Sequence, residues 1–166
     1  MLGILYLHLL QSHRKENLMD TLQVQQNTFA TDLKGFTGTT QYYRYHTFKA
    51  LYCLNFRDAK PTHTVVYTDG CKFFWDKCGG GAYWLLDKIC YEVCPLMIKH
   101  QEDFLVLMVT VKDSKAKLKV TNGNHKVLYR NTVEYTDAFP GEYKFYIQPT
   151  HIQGQRVPCI LLPTEY

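Results

Sequence analysis

The chain has 166 residues, is 46% hydrophobic and 14% aromatic with 13 tyrosines, and carries a formal charge of +4. That length and apolar content suffice for one domain with a core of its own, without disulfide staples. No run approaches the ~20 apolar residues of a membrane span, and a charge this mild permits an anionic partner without demanding one.

The first residues need their own reading. Leu2 to Leu10 is apolar, but no basic residue precedes it and no small-residue cleavage site follows, so it does not read as a signal peptide. Arg14-Lys15-Glu16 can be encoded by purine-only codons resembling a bacterial ribosome-binding site two codons upstream of Met19. Residues 1–18 are therefore expected to be a translated, non-native leader, with 19–166 as a single domain.

From Met19 to Phe36, Leu22, Phe29, Leu33 and Phe36 fall near helical spacing, which predicts one helix capped by Asp20 or Thr28 and ended at Gly35 or Gly38. Tyr42 to Phe48 alternates as an aromatic strand, which Leu51 to Phe56 can continue, and Asp58 to His63 reads as loop. Val65-Val66-Tyr67 is a short buried strand. Asp69 is placed to cap a short helix from Cys71 to Lys77, and Gly79-Gly80-Gly81 breaks it.

The clearest helical pattern runs from Ala82 to Val93, with Ala82, Leu85, Leu86, Ile89 and Val93 on one stripe and Cys94-Pro95 as the stop. Phe104 to Val111 is nearly unbroken apolar chain, expected as a central strand covered on both faces. Ala116, Leu118 and Val120 alternate with Lys115, Lys117 and Lys119, one face inward and one in water. Asn122-Gly123 predicts a hairpin turn with positive φ. Further strands are expected at His125–Thr136, Tyr143–Ile147 and Cys159–Leu162. Helices first and strands afterwards predict an α+β fold: an antiparallel sheet of about five strands with the helices packed on one face.

Candidate chemistry is sparse. The Thr68-Asp69-Gly70 strand end, followed by glycines, resembles the opening of a ribonuclease-H-type nuclease. Such a site needs converging carboxylates for its metals, whereas Glu102 and Asp103 lead into an apolar strand. The echo Tyr67-Thr68-Asp69 and Tyr135-Thr136-Asp137 offers Asp69 and Asp137 as a strand-end acid pair, although Asp and Thr also end strands by bonding their own backbone. Cys71, Cys78, Cys90 and Cys94 are off the spacing of zinc ligands. Gly79-Gly80-Gly81 lacks the Lys-Ser/Thr of a phosphate loop, and no Gly-x-Ser-x-Gly elbow is present.

The six cysteines follow no secretory framework and read as reduced, small hydrophobes in a cytoplasmic protein. No cofactor or metal is implied. Lys112, Lys115, Lys117, Lys119, Lys126 and Arg130 cluster around the Asn-Gly hairpin, where a basic ribbon can lie along a phosphate backbone. Lysines on an outward strand also protect a sheet edge from aggregation, and no aromatic stacking code of the RNA-recognition type interleaves with these.

Several stretches in combination resemble a family of small bacterial proteins that carry a domain of unknown function and occur on plasmids, phages and other mobile elements. They are Phe36-Thr37-Gly38-Thr39, Tyr42-Tyr43-Arg44, Tyr67-Thr68-Asp69-Gly70, Gly81 to Asp87, Tyr135-Thr136-Asp137 and the closing Leu161 to Tyr166. The resemblance runs from about Leu33 to the end, and an extra glycine before Ala82 departs from it. It implies a binding or accessory protein that contacts a host protein or nucleic acid. A tyrosine-rich surface suits that role, because Tyr gives rigid, amphipathic contact area. The binding residues expected are Tyr42, Arg44 and His46, with Lys115, Lys117 and Lys119 on the basic hairpin. The alternative is a small metal-dependent hydrolase or nuclease using Asp69 and Asp137. Tyr166 is expected to pack on the body.

Overall fold

The computed structural model describes residues 2–48 and 61–166. The chain divides into two compact units, one ending at Gly35 and one spanning Phe36–Tyr166.

The first unit is a single helix, α1 (Leu2–Lys34). It begins seventeen residues before the expected Met19, because the Leu-rich stretch from Ile4 onward holds no Gly or Pro and every residue in it tolerates a helix. Neither Asp20 nor Thr28 caps it. Thr28 lies inside the helix and its hydroxyl donates back to the Val24 carbonyl at 3.0 Å. Of the expected apolar positions, Phe29 is buried and Leu33 half-buried, whereas Leu22, like Leu18, Met19 and Val24, is exposed. Gly35 closes it by donating to the Asp32 carbonyl.

The second unit contains β1 (Tyr43–Phe48), β2 (Pro61–Tyr67), α2 (Asp69–Lys77), α3 (Tyr83–Lys88), a π-turn (Ile89–Val93), α4 (Cys94–His100) and five further strands. These are β3 (Leu105–Lys112), β4 (Lys115–Asn122), β5 (Val127–Val133), β6 (Gly141–Ile152) and β7 (Gln155–Leu161), followed by one turn of 3₁₀ helix at Pro163–Glu165. Strand β2 starts at Pro61, so part of the expected Asp58–His63 loop is strand. The expected continuation at Leu51–Phe56 and the start of that loop at Asp58 lie outside the described residues.

The sheet has seven strands in the order β1-β2-β7-β6-β3-β4-β5. The sequence predicts about five antiparallel strands; β7 to β5 form an antiparallel set of five, but the sheet is larger than expected and not wholly antiparallel. The β1–β2 hairpin enlarges it through a parallel pairing of Val66 with Cys159 and Tyr67 with Ile160. The result is an α+β unit whose sheet is mixed.

Helices α2, α3 and α4 cover one face. Phe145 on β6 stacks on Trp75 of α2 at 5.1 Å between ring centres and meets Phe74 edge-on at 5.0 Å. Leu105, Leu107, Val109, Ala116, Leu118, Val120 and Ile147 are buried on this side with Leu85, Leu86, Ile89 and Val93. Burying this much aliphatic and aromatic surface supplies most of the stability. The sheet also curls around the helices. Tyr45 on edge strand β1 donates to Asp87 at 2.5 Å, while Tyr129 and Asn131 on the opposite edge strand β5 reach Glu92. Edges of a flat seven-stranded sheet lie about 29 Å apart at ~4.8 Å per strand. Asp87 and Glu92 are separated by only ~7 Å of helix rise. One helical segment touches both edges, so the helix-bearing face is concave and the other convex.

Three sequence expectations are corrected here. Cys94-Pro95 does not stop the helix. The π-turn, in which the Cys94 N–H reaches the Ile89 carbonyl, widens the chain just before Pro95, which then sits in the first turn of α4 where its missing N–H costs nothing. Strand β3 is not covered on both faces: Leu105, Leu107, Val109 and Val111 are buried, whereas Met108 is 40% exposed and Thr110 and Lys112 face solvent. At the β4–β5 hairpin the positive φ falls on His125 (63°) and not on the Asn-Gly pair. The buried Asn122 organises that turn instead, its Oδ1 accepting from the N–H groups of Asn124 and Lys126.

Candidate functional site

Strand alternation decides which side chains the convex face displays. Because Leu107, Leu118 and Phe145 point to the helices, their neighbours Met108, Lys119 and Lys144 point away. Register brings them level: Lys144 pairs with Met108, Met108 with Lys119, and Lys119 with Arg130. A single cross-strand row therefore carries three cations over four strands. Two residues further along, Glu142, Thr110, Lys117 and Thr132 form the next row. Lys112 and Lys115 close the β3–β4 hairpin, where Lys115 is tied to Glu134 at 2.6 Å, a contact that holds its ammonium pKa above the ordinary value. The strands thus present Lys112, Lys117, Lys119, Arg130 and Lys144 outward against one carboxylate, Glu142.

On the other side of the cation row the same face turns aromatic. Phe104 lies two residues before Val106, which pairs with Tyr146, and Tyr166 at the end of the chain rests on both. The ring centres are 5.0 Å apart for Phe104–Tyr146, 5.7 Å for Phe104–Tyr166 and 5.5 Å for Tyr146–Tyr166, all in tilted or edge-on contact. Tyr166 packs on the body as expected, yet remains 73% exposed. Its place is set by Glu165, whose carboxylate accepts from the Gly70 N–H at 2.9 Å, the Thr68 hydroxyl at 2.5 Å and the Leu162 N–H at 3.0 Å. Those donors lie at the N-terminus of α2 and in the tail itself, a position that favours negative charge.

Of the residues singled out in the sequence, Lys117 and Lys119 belong to this face, and Lys115 sits at its end. Tyr42, Arg44 and His46 do not join them. Arg44 and His46 share the outward side through their pairing with Val66 and Thr64, and His46 Nδ1 lies 3.0 Å from the Thr64 hydroxyl. However, β1 stands five strands away from β4, about 24 Å along the sheet. Burial, with Cys159 and Glu165 nearby, raises the phenol pKa of Tyr42.

Asp69 and Asp137 are also kept apart. Asp69 is the first residue of α2 and not its cap; its carboxylate accepts from the Thr40 N–H at 2.6 Å and hydroxyl at 2.7 Å, bonds that hold its pKa below the ordinary range. Asp137 lies against Gly79 and Gly80, just past the other end of that helix. The nine residues of α2, about 13 Å of helix, separate them, so the two carboxylates share no pocket. Cys71, Cys78, Cys90, Cys94 and Cys159 are buried free thiols, and burial pushes Cys78 up to about 11 and Cys94 and Cys159 to about 12. Cys53 lies outside the described residues. Among the described residues no group of three His, Cys, Asp or Glu is placed to hold a metal ion, and no helix is long and apolar enough to cross a membrane.

A groove of about 1010 Å³ opens between α4 and the β6–β7 hairpin, lined by Pro95, Met97, Ile98, Pro149, Val157 and Pro158. Its charged rim is already paired: Arg156 donates to Asp103 at 2.5 Å, and Asn122 donates to Glu102 at 2.7 Å. The convex face is the stronger candidate. Sequence reasoning passed over Lys144, Phe104, Tyr146 and Tyr166 as one surface, because they come from three segments that only the strand register aligns. The alternation Glu142-Lys144-Tyr146 was the available signal.

Residues 55–166 match the model of a family of unknown function (DUF6876), and the chain belongs to that family. The matched span includes the whole cation row and the aromatic group, while Tyr42, Arg44 and His46 precede it. No curated protein and no solved structure matches the chain.

Proposed function

We propose that this protein is a non-enzymatic nucleic-acid-binding protein whose contact surface is the convex face of β6, β3, β4 and β5. The observation that carries this reading is the cross-strand row of Lys144, Lys119 and Arg130, flanked by Lys117 and Lys112 and opposed on the strands only by Glu142. Cations held at strand spacing on a rigid sheet meet successive phosphates and release their condensed counterions, which is the main source of sequence-independent affinity. Long Lys and Arg side chains on such a surface need no pocket, and none is required for this role.

The experiment is fluorescence anisotropy with a labelled oligonucleotide, titrated at several salt concentrations. Affinity should fall steeply with salt, by about 0.7–0.9 logarithmic units per phosphate contacted for each tenfold rise in salt. The double variant Lys119→Glu with Arg130→Glu should bind at least ~10-fold more weakly and with a shallower slope. Both side chains point away from the core, Arg130 exposed and Lys119 half-buried, so the variant keeps its core. Absence of salt-dependent binding by the unmodified protein, or equal binding by the variant, would overturn the proposal.

A further inference from the structure

We infer that the ligand of this face is a single strand, with one or more bases stacked on Tyr166 beside Phe104 and Tyr146; this rests on the nucleic-acid reading above and names its substrate class. Three features point there. The aromatic group adjoins the cation row at one strand step: Tyr146 follows Lys144 and Val106 precedes Met108 by two residues, about 7 Å. That is a distance a nucleotide spans between its base and its own backbone. Tyr166 is 73% exposed, which leaves ring surface open to a base, and its contacts with Phe104 and Tyr146 are both edge-type and not stacked. Finally, the surface is convex and bears no α-helix of the Phe36–Tyr166 unit that could enter a major groove. A stiff duplex touches a convex sheet over a short arc, whereas a flexible strand drapes along it.

Stacking on an aromatic platform tolerates any base, because every base has a π-face, so the ligand class is defined by strandedness and not by sequence. Paired bases in a duplex hide those faces, and only the phosphate contacts would then be left to hold it.

The test compares labelled single-stranded DNA, single-stranded RNA and duplex DNA of equal length in one buffer, with the full chain. Single strands should bind ~10-fold or more tightly than duplex. Tyr166→Ala should cut single-strand affinity by ~5-fold or more and narrow the preference over duplex, while Tyr166→Trp, which keeps a stacking surface, should restore it. Duplex binding as tight as single-strand binding, or an unchanged preference in Tyr166→Ala, would overturn this inference and leave the nucleic-acid reading standing. If neither form binds, both fall. The DNA and RNA arms separate the two sources of the same chemistry: equal affinity marks a backbone-and-base reader, and tighter RNA binding adds a contact to the 2′-hydroxyl.

Discussion

Glu165→Ala tests how the tail is held and, through it, where Tyr166 is held. The Glu165 carboxylate receives three donors: the Gly70 N–H, the Thr68 hydroxyl and the Leu162 N–H. Thr68 and Leu162 are only 2% and 5% exposed, so water cannot readily replace the lost acceptor. A hydrogen bond to a charged group contributes about 1.5–3 kcal/mol, and a buried donor left unmet costs about 1–3 kcal/mol. Because the three bonds share one carboxylate and Glu165 itself is half-buried, they do not add fully. The variant should lose about 2–4 kcal/mol of unfolding free energy. Glu165→Gln, which keeps an acceptor without the charge, should lose about half of that. Urea unfolding followed by circular dichroism reads the difference as a shift in midpoint. The same variant should bind single-stranded oligonucleotide more weakly, since Tyr166 is then no longer pinned beside Tyr146. A loss below about 0.5 kcal/mol would refute the argument that this carboxylate is the tail's anchor.

Two further outcomes follow from packing and charge. Gly79 has φ +64°, and a Cβ there would stand 1.9 Å from the Asp137 carbonyl oxygen, which is backbone and cannot swing aside. Gly79→Ala should therefore destabilise by at least about 2 kcal/mol in thermal or urea unfolding, well above the ~1 kcal/mol of left-handed backbone strain alone. Burial by itself would raise the Glu92 carboxyl, but bonds from Tyr129, Lys88 and Asn131 outweigh it and hold the pKa below its ordinary value. A depressed carboxylate contributes stability that is present above its unfolded pKa of about 4.3 and is lost as pH falls through the lower folded value. The gap in unfolding free energy between the unmodified protein and Glu92→Gln, about 1 kcal/mol at neutral pH, should close on acidification below about pH 4; a gap independent of pH would sink that assignment.

Much of the fold was legible along the chain. The stripe of Leu85, Leu86, Ile89 and Val93 marked the buried side of α3 and its π-turn, and all four are buried. The alternation in β4 placed Ala116, Leu118 and Val120 inward and their lysines outward, because a period of two leaves no other choice on a half-covered sheet. Local signals and tertiary structure disagree at two places. Pro95 reads as a stop, yet a π-turn two residues earlier absorbs it. The apolar run of β3 reads as doubly covered, yet Met108, Thr110 and Lys112 are exposed on the side away from the helices.

The sequence by itself determined the kind of elements, their order and the inward residue of each strand, since these depend on spacing within a few residues. Tertiary structure alone decided that β2 would lie parallel to β7, that the sheet would curl until one helix met both edges, and that Asp69 and Asp137 would fall at opposite ends of α2. It also decided that lysines and arginine from three strands would stand level, next to rings from Phe104, Tyr146 and Tyr166. Register and curvature are set by contacts between residues tens of positions apart, and no pattern confined to one strand records which neighbour it will meet.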